Sequence, residues 1–190
     1  MPVKPYEQDY TELLEESLPA KVATIKQMRV GASKADLIAI DFNCDAIAFE
    51  IKTERDNLRR LQAQLSDYQK VFLKVIVFTY EKQALKLADT LPKHIGVATI
   101  GNNSKILFVR KPKDHLDNLR QVAIFDALNT KLALEVLKTF KIQIPELPNT
   151  QMRTALLGIF ESLDAIKLQK VAMDVLYRHH IAKTGKGQVI

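Results

Sequence analysis

The sequence predicts an α/β fold, a mixed sheet with helices packed on it, followed by a helical C-terminal region. Three observations carry that expectation. Segments of two-residue alternation are interleaved with segments of helical period along the first 110 residues. The run Val75 to Phe78 is apolar on both faces, as a central strand requires. After Pro112 every apolar pattern has the spacing of a helix. The division follows: residues 1–112 as an α/β domain, and residues 113–190 as a helical region packed on it.

Asp9 precedes a helical run in which Tyr10, Leu13, Leu14, Ser17 and Leu18 share a face, and Pro19 ends it. Strands follow at Lys21 to Met28 and Lys34 to Ile40, separated by a turn at Gly31 to Ser33. A tight connection, Asp41 to Asp45, leads into a third strand, Ala46 to Lys52. Such short links imply antiparallel pairing. From Asn57 to Phe72, Leu58, Leu61, Leu65, Tyr68 and Phe72 recur at helical spacing, with Asp56 as the expected N-cap. Lys74 to Tyr80 is the central strand. A helix at Gln83 to Leu91 and strands at Ile95 to Ile100 and Lys105 to Arg110 complete this half. Helices are expected at Leu116 to Leu128, Lys131 to Phe140, Gln151 to Leu163 and Lys167 to His179, with a break at Ile144 to Thr150. The tail from Lys183, with Gly185 and Gly187, is expected to fray.

Composition narrows the function classes. At 190 residues and 47% hydrophobic, the chain can bury a core. No apolar stretch approaches the roughly 20 residues of a membrane span, and residues 1–9 hold no signal-peptide core. The expectation is a soluble protein of the cytoplasm. The single cysteine, Cys44, excludes an internal disulfide and a CxxC zinc site. His179 and His180 read as a solvated helix end, and Asn102-Asn103-Ser104 as a turn. Net charge is +6, with residues 1–20 at −4 and the excess spread over the rest, compatible with a polyanionic partner.

The chemistry concentrates in the third strand. Ile47, Phe49 and Ile51 point to one face; Ala46, Ala48, Glu50 and Lys52 point to the other. Asp36 interrupts an apolar run in the preceding strand, and a hairpin about residues 41–45 sets it opposite position 50. Two carboxylates so placed repel each other unless a cation lies between them, and Mg²⁺ takes hard oxygen ligands while keeping waters for a phosphate substrate. Lys52 adds a point charge that orients water or stabilises charge on phosphorus. A strand-edge acid with a solvent-facing ion pair is the plainer alternative.

Asp36, then Glu50-Ile51-Lys52 at the end of the next strand, then a helix and an apolar strand, resembles the PD-(D/E)XK nuclease superfamily. The order over residues 9–80, about two fifths of the chain, is similar to its restriction-endonuclease-like αβββαβ core. The stretch from Lys34 to Phe78 also resembles small bacterial and phage proteins whose Glu-x-Lys strand runs into a Gln-rich helix. The resemblance implies Mg²⁺-dependent phosphodiester hydrolysis, with Mn²⁺ as a substitute. Asp36, Glu50 and the Ile51 carbonyl are the implied metal ligands and Lys52 the catalytic lysine. Gln64 and Tyr68 resemble the Gln-x-x-x-Tyr element of RecB-like and Cas4-like branches, although a core tyrosine explains Tyr68 as well. A further metal-binding Glu from the first helix is implied at Glu16 or, one turn earlier, Glu12; a solvated acidic face is the alternative. Position 35 is Ala where the family name has Pro, and no His precedes Asp36.

Arg55, Arg59 and Arg60 stand just after the Glu-x-Lys strand, placed to contact phosphates or to pair with Glu54 and Asp56. The expected function is a Mg²⁺-dependent nuclease with DNA as partner. A nuclease-like domain that binds nucleic acid or protein without cutting is the alternative. A homodimer or protein partner is expected to dock on the C-terminal helices, through stripes such as Leu156, Ile159, Phe160 and Leu163.

Overall fold

The computed structural model describes residues 7–101, 105–144 and 146–184. The turn expected at Asn102, Asn103 and Ser104, Pro145, the first six residues and the Gly185–Gly187 tail lie outside them. The order is α1 (Glu7–Ser17), β1 (Ala23–Val30), β2 (Ser33–Ile40), β3 (Ala46–Lys52), α2 (Leu61–Gln69), β4 (Lys74–Thr79), α3 (Glu81–Thr90), β5 (Gly96–Ile100) and β6 (Ile106–Arg110). The C-terminal helices are α4 (Gln121–Asp126), α5 (Thr130–Thr139), α6 (Asn149–Glu161) and α7 (Ala165–Thr184). The fold is therefore α/β with the αβββαβ order, a mixed sheet and a helical C-terminal region.

The six strands lie in sequence order, β1-β2-β3-β4-β5-β6. The β1–β2 and β2–β3 pairs are antiparallel, as their short links require, and β5–β6 is antiparallel too. The β3–β4 and β4–β5 pairs are parallel, so each needs a crossover, supplied by α2 and α3. Val75 and Val77 of β4 enter the core beneath α2 and α3, while Ile76 and Phe78 enter the core beneath α1. That two-sided burial is why the strand is apolar throughout.

The larger core joins the two halves of the chain. Val30 and Ile38 of the sheet, Leu65 and Tyr68 of α2, and Phe125, Phe160 and Leu176 of the C-terminal helices all belong to it. Phe125 and Phe160 meet edge to face at 5.0 Å. Leu156 and Phe160 are fully buried, with Ile159 and Leu163 packed against them, so the stripe expected to dock a partner serves the chain's own core. The segment 112–120 is a strap, so the helix expected from Leu116 begins only at Gln121. The strap bonds to the sheet side through Lys113 N to His94 O, His115 N to Leu73 O and Arg120 N to Lys70 O. α7 runs to Thr184, past the expected start of fraying at Lys183. Among the described residues no helix is long and apolar enough to cross a membrane.

Asp56 does not cap α2, which begins at Leu61 with Arg60 at the N-cap. Its carboxylate instead accepts from the Thr53 backbone N–H and hydroxyl, both at 2.7 Å, closing a turn directly after Lys52. Gly31, at φ +61°, makes the β1–β2 turn, and an added Cβ would meet the Asp67 carboxyl at 3.2 Å.

Candidate active site

The site forms where β2 and β3 part. Their ladder runs from Ile40 opposite Ala46 to Leu37 opposite Phe49 and stops there. Two residues further along β3, the Ile51 N–H would lack a partner, and the Asp36 carboxylate supplies it, accepting at Oδ2 over 2.7 Å. Asp36 therefore leaves the alternating pattern of its strand and sits in the gap, 8% exposed. Its Oδ1 accepts from Gln27 Nε2 at 3.2 Å, and the same nitrogen lies 3.2 Å from Glu7 Oε1. Gln27 has φ +53°, a left-handed conformation that costs a non-glycine residue about 1–2 kcal/mol. Gln27 and Glu7 were not among the expected site residues, because nothing in the sequence marks a strand glutamine that turns left-handed.

Glu50 is 1% exposed on the face that packs against α2. Its Oε1 pairs with Lys52 Nζ at 2.5 Å, and its Oε2 accepts from the Tyr68 hydroxyl at 2.5 Å. The Lys34 carbonyl lies 2.8 Å from the same hydroxyl. The charged carboxylate is the stronger acceptor for its one hydrogen. Thr79, fully buried on β4, donates its hydroxyl to the Lys52 carbonyl at 2.6 Å and fixes the strand end that carries the lysine.

These contacts set the electrostatics. Burial first, and then the Glu50 carboxylate, push the Asp36 carboxyl up to about 7, with the Ile51 N–H and Lys52 opposing. Burial and Glu50 likewise hold the Tyr68 phenol above its ordinary value, opposed by a hydrogen bond from Gln64. Gln64 is itself buried, and its Oε1 is the one buried side-chain polar atom among the described residues with no hydrogen-bond partner. Gln64 and Tyr68 thus join Glu50 and Lys52 in one connected group, and Gln64 leaves an acceptor free beside it.

The remaining expected residues divide. Ile51 enters the site through its backbone, its side chain buried in the α1-side core. Arg55, Arg59 and Arg60 are all exposed on the connection between β3 and α2. Glu16 is exposed and does not line the cleft that reaches Asp36. The open cleft of about 260 Å³ that reaches Asp36 is lined from α1 by Glu7, Gln8, Thr11 and Glu12. The acidic face of α1 thus meets the site at its N-terminal end. His179 and His180 are half-buried within α7.

Among the described residues no group of three or more His, Cys, Asp or Glu side chains converges on a point that would hold a metal ion. Of the expected ligands, Asp36 lines the open cleft, while both Glu50 oxygens are bonded, to Lys52 and to Tyr68. The donor chemistry fits Mg²⁺, which binds through one or two carboxylates and keeps several waters.

A family model described as Bacteriophage P4 protein cII matches residues 10–184. Comparison with curated proteins finds no match. Among solved structures, a protein of unknown function from Silicibacter pomeroyi is similar at TM-score 0.48 and 12% identity, over 100% of this chain and 99% of that one.

Proposed function

The chain belongs to the Bacteriophage P4 protein cII family, and we propose that it is a Mg²⁺-dependent nuclease of the PD-(D/E)XK type that hydrolyses phosphodiester bonds in DNA, in the cytoplasm. The observation that carries this reading is the buried pair of carboxylates, Asp36 and Glu50, with Lys52 bonded to the second of them. A protein gains nothing in stability by burying two acids beside one lysine, since a surplus buried charge is strongly unfavourable.

Asp36, Glu50 and the Ile51 carbonyl would hold the metal. Once bound, Mg²⁺ or Mn²⁺ would polarise a phosphoryl oxygen and lower the pKa of water. Lys52 brings a positive charge to the place where negative charge develops on phosphorus. Tyr68 fixes the Glu50 carboxylate, and Gln64 presents its free Oε1 as an acceptor next to it. Arg55, Arg59 and Arg60 supply charge for the phosphate backbone on the loop that leaves Lys52.

A second reading is a domain of this fold that binds nucleic acid without cutting it. It is favoured by one observation: both oxygens of Glu50 already have partners, Lys52 and Tyr68. A panel of linear, supercoiled, single-stranded and branched DNA, and RNA, incubated with Mg²⁺ or Mn²⁺, separates the two. Cleavage lost in Lys52→Ala supports the nuclease. Retention of binding with no cleavage of any substrate supports the second reading.

A further inference from the structure

We propose that the cleft between the β1–β2 turn and helices α4 and α6 is a phosphate subsite, in which Arg29, Lys34 and Arg153 hold the backbone of a nucleic-acid strand leading to the active site. The inference deepens the nuclease reading and rests on it for the identity of the strand.

The cleft, of about 390 Å³, is lined by Arg29 and Gly31 from the hairpin and by Asp126 and Arg153 from the helices. Arg29 and Lys34 are directly opposite each other in the β1–β2 ladder, and both are exposed. Like charges at directly opposed positions destabilise a sheet unless something negative lies between or above them. No acidic side chain among the described residues pairs with either. Arg29 bonds only through Nε, to the Gly31 carbonyl at 3.3 Å, which leaves both terminal nitrogens of the guanidinium for a ligand.

Across the cleft, Arg153 is bonded through both terminal nitrogens and contributes charge, while Arg29 keeps the free fork. The Arg153 guanidinium lies 4.3 Å over the Phe125 ring, bonds to the Leu128 carbonyl at 3.3 Å and pairs with Asp126 at 3.2 Å. Asp126 is bonded to Arg153, and Asp67, 3.2 Å from the Gly31 Cβ position, is bonded to Ser33 and Lys70, so neither carboxylate is bonded to Arg29 or Lys34 and an added anion is what these two accept. A guanidinium fork matches the two free oxygens of a phosphodiester. Arg29 and Lys34 are each two residues from a residue of the active site, Gln27 and Asp36. That is about 7 Å of strand, or roughly two stacked nucleotides. The helical region would then hold the strand that the sheet cuts.

The test is fluorescence anisotropy with a labelled 20-nucleotide single strand and its duplex, titrated with full-length protein across a series of salt concentrations. The Arg29→Ala/Lys34→Ala variant changes only exposed residues, and its thermal melt checks the fold. Binding about tenfold weaker, with a log–log salt slope smaller by about 1–2, is expected, and Arg29→Lys should recover part of the loss. Unchanged affinity and slope in the double variant, or no binding by the wild type, overturns the subsite. Arginine-dependent binding with no cleavage under any metal leaves the subsite standing while the nuclease reading fails. Cleavage with KM and salt slope indifferent to the double variant does the reverse.

Discussion

Tyr68 reaches from α2 to the buried Glu50 and bonds its Oε2 at 2.5 Å, so a helix residue and the carboxylate of a central strand form one unit. Lys52 occupies the other oxygen. The site is therefore braced from the same core that joins the sheet to the C-terminal helices.

Tyr68→Phe removes a donor from a buried charged acceptor. It is expected to lower stability by about 1–3 kcal/mol in urea unfolding and to slow cleavage. Unaltered stability would mean that Glu50 finds another donor and that Tyr68 is a packing residue.

Gln64→Leu is expected to act in the opposite sense on stability. It deletes the one buried side-chain acceptor without a partner among the described residues, so the midpoint of urea unfolding should hold or rise, while cleavage falls. A destabilised protein with normal activity would assign Gln64 to the core alone.

Asp36 gives a pH dependence of defined sign. Its carboxyl is raised in the folded protein to about 7 from 3.8. Between those values the native state binds more protons than the unfolded one. Its contribution to stability therefore falls as pH rises from about 4 to about 7, and is level beyond. In metal-free protein, Asp36→Asn should be more stable than wild type by up to a few kcal/mol at about pH 8, the gap closing towards about pH 4. Mg²⁺ should then stabilise the wild type and leave the variant unmoved, as read by thermal melts. An Asn variant less stable at about pH 8 would contradict the assigned environment.

Phe160→Ala tests the shared core. The change should cost about 3–5 kcal/mol and lower the melting of sheet and helices together, in one transition by circular dichroism and by Tyr fluorescence. Two separated transitions would show that the helical region unfolds by itself.

Much of this was legible in the residues. Alternation in Ala46 to Lys52 placed Glu50 and Lys52 on one face, and β3 has those same bounds. The hairpin about Asp41 to Asp45 put Asp36 at the level of Glu50, and the register ends one pair short of that. The missing part is what tertiary contact decides. Alternation cannot show that Asp36 turns into the gap to serve the Ile51 N–H, because that depends on where the ladder ends. Periodicity cannot show that Asp56 bonds backwards to Thr53 and not forwards to the helix. Nor can it tell which end of the acidic α1 stripe meets the site, where Glu7 and Glu12, and not Glu16, line the cleft. An apolar stripe such as Leu156 and Phe160 looks the same in sequence whether it meets a partner or its own chain.

The most direct test of the central claim is the rate of cleavage of labelled DNA in Mn²⁺ by wild type and by Asp36→Ala, purified in parallel. The wild type should cut and the variant should be slower by about 100-fold or more. Equal rates, or a wild type that cuts no substrate, would contradict it.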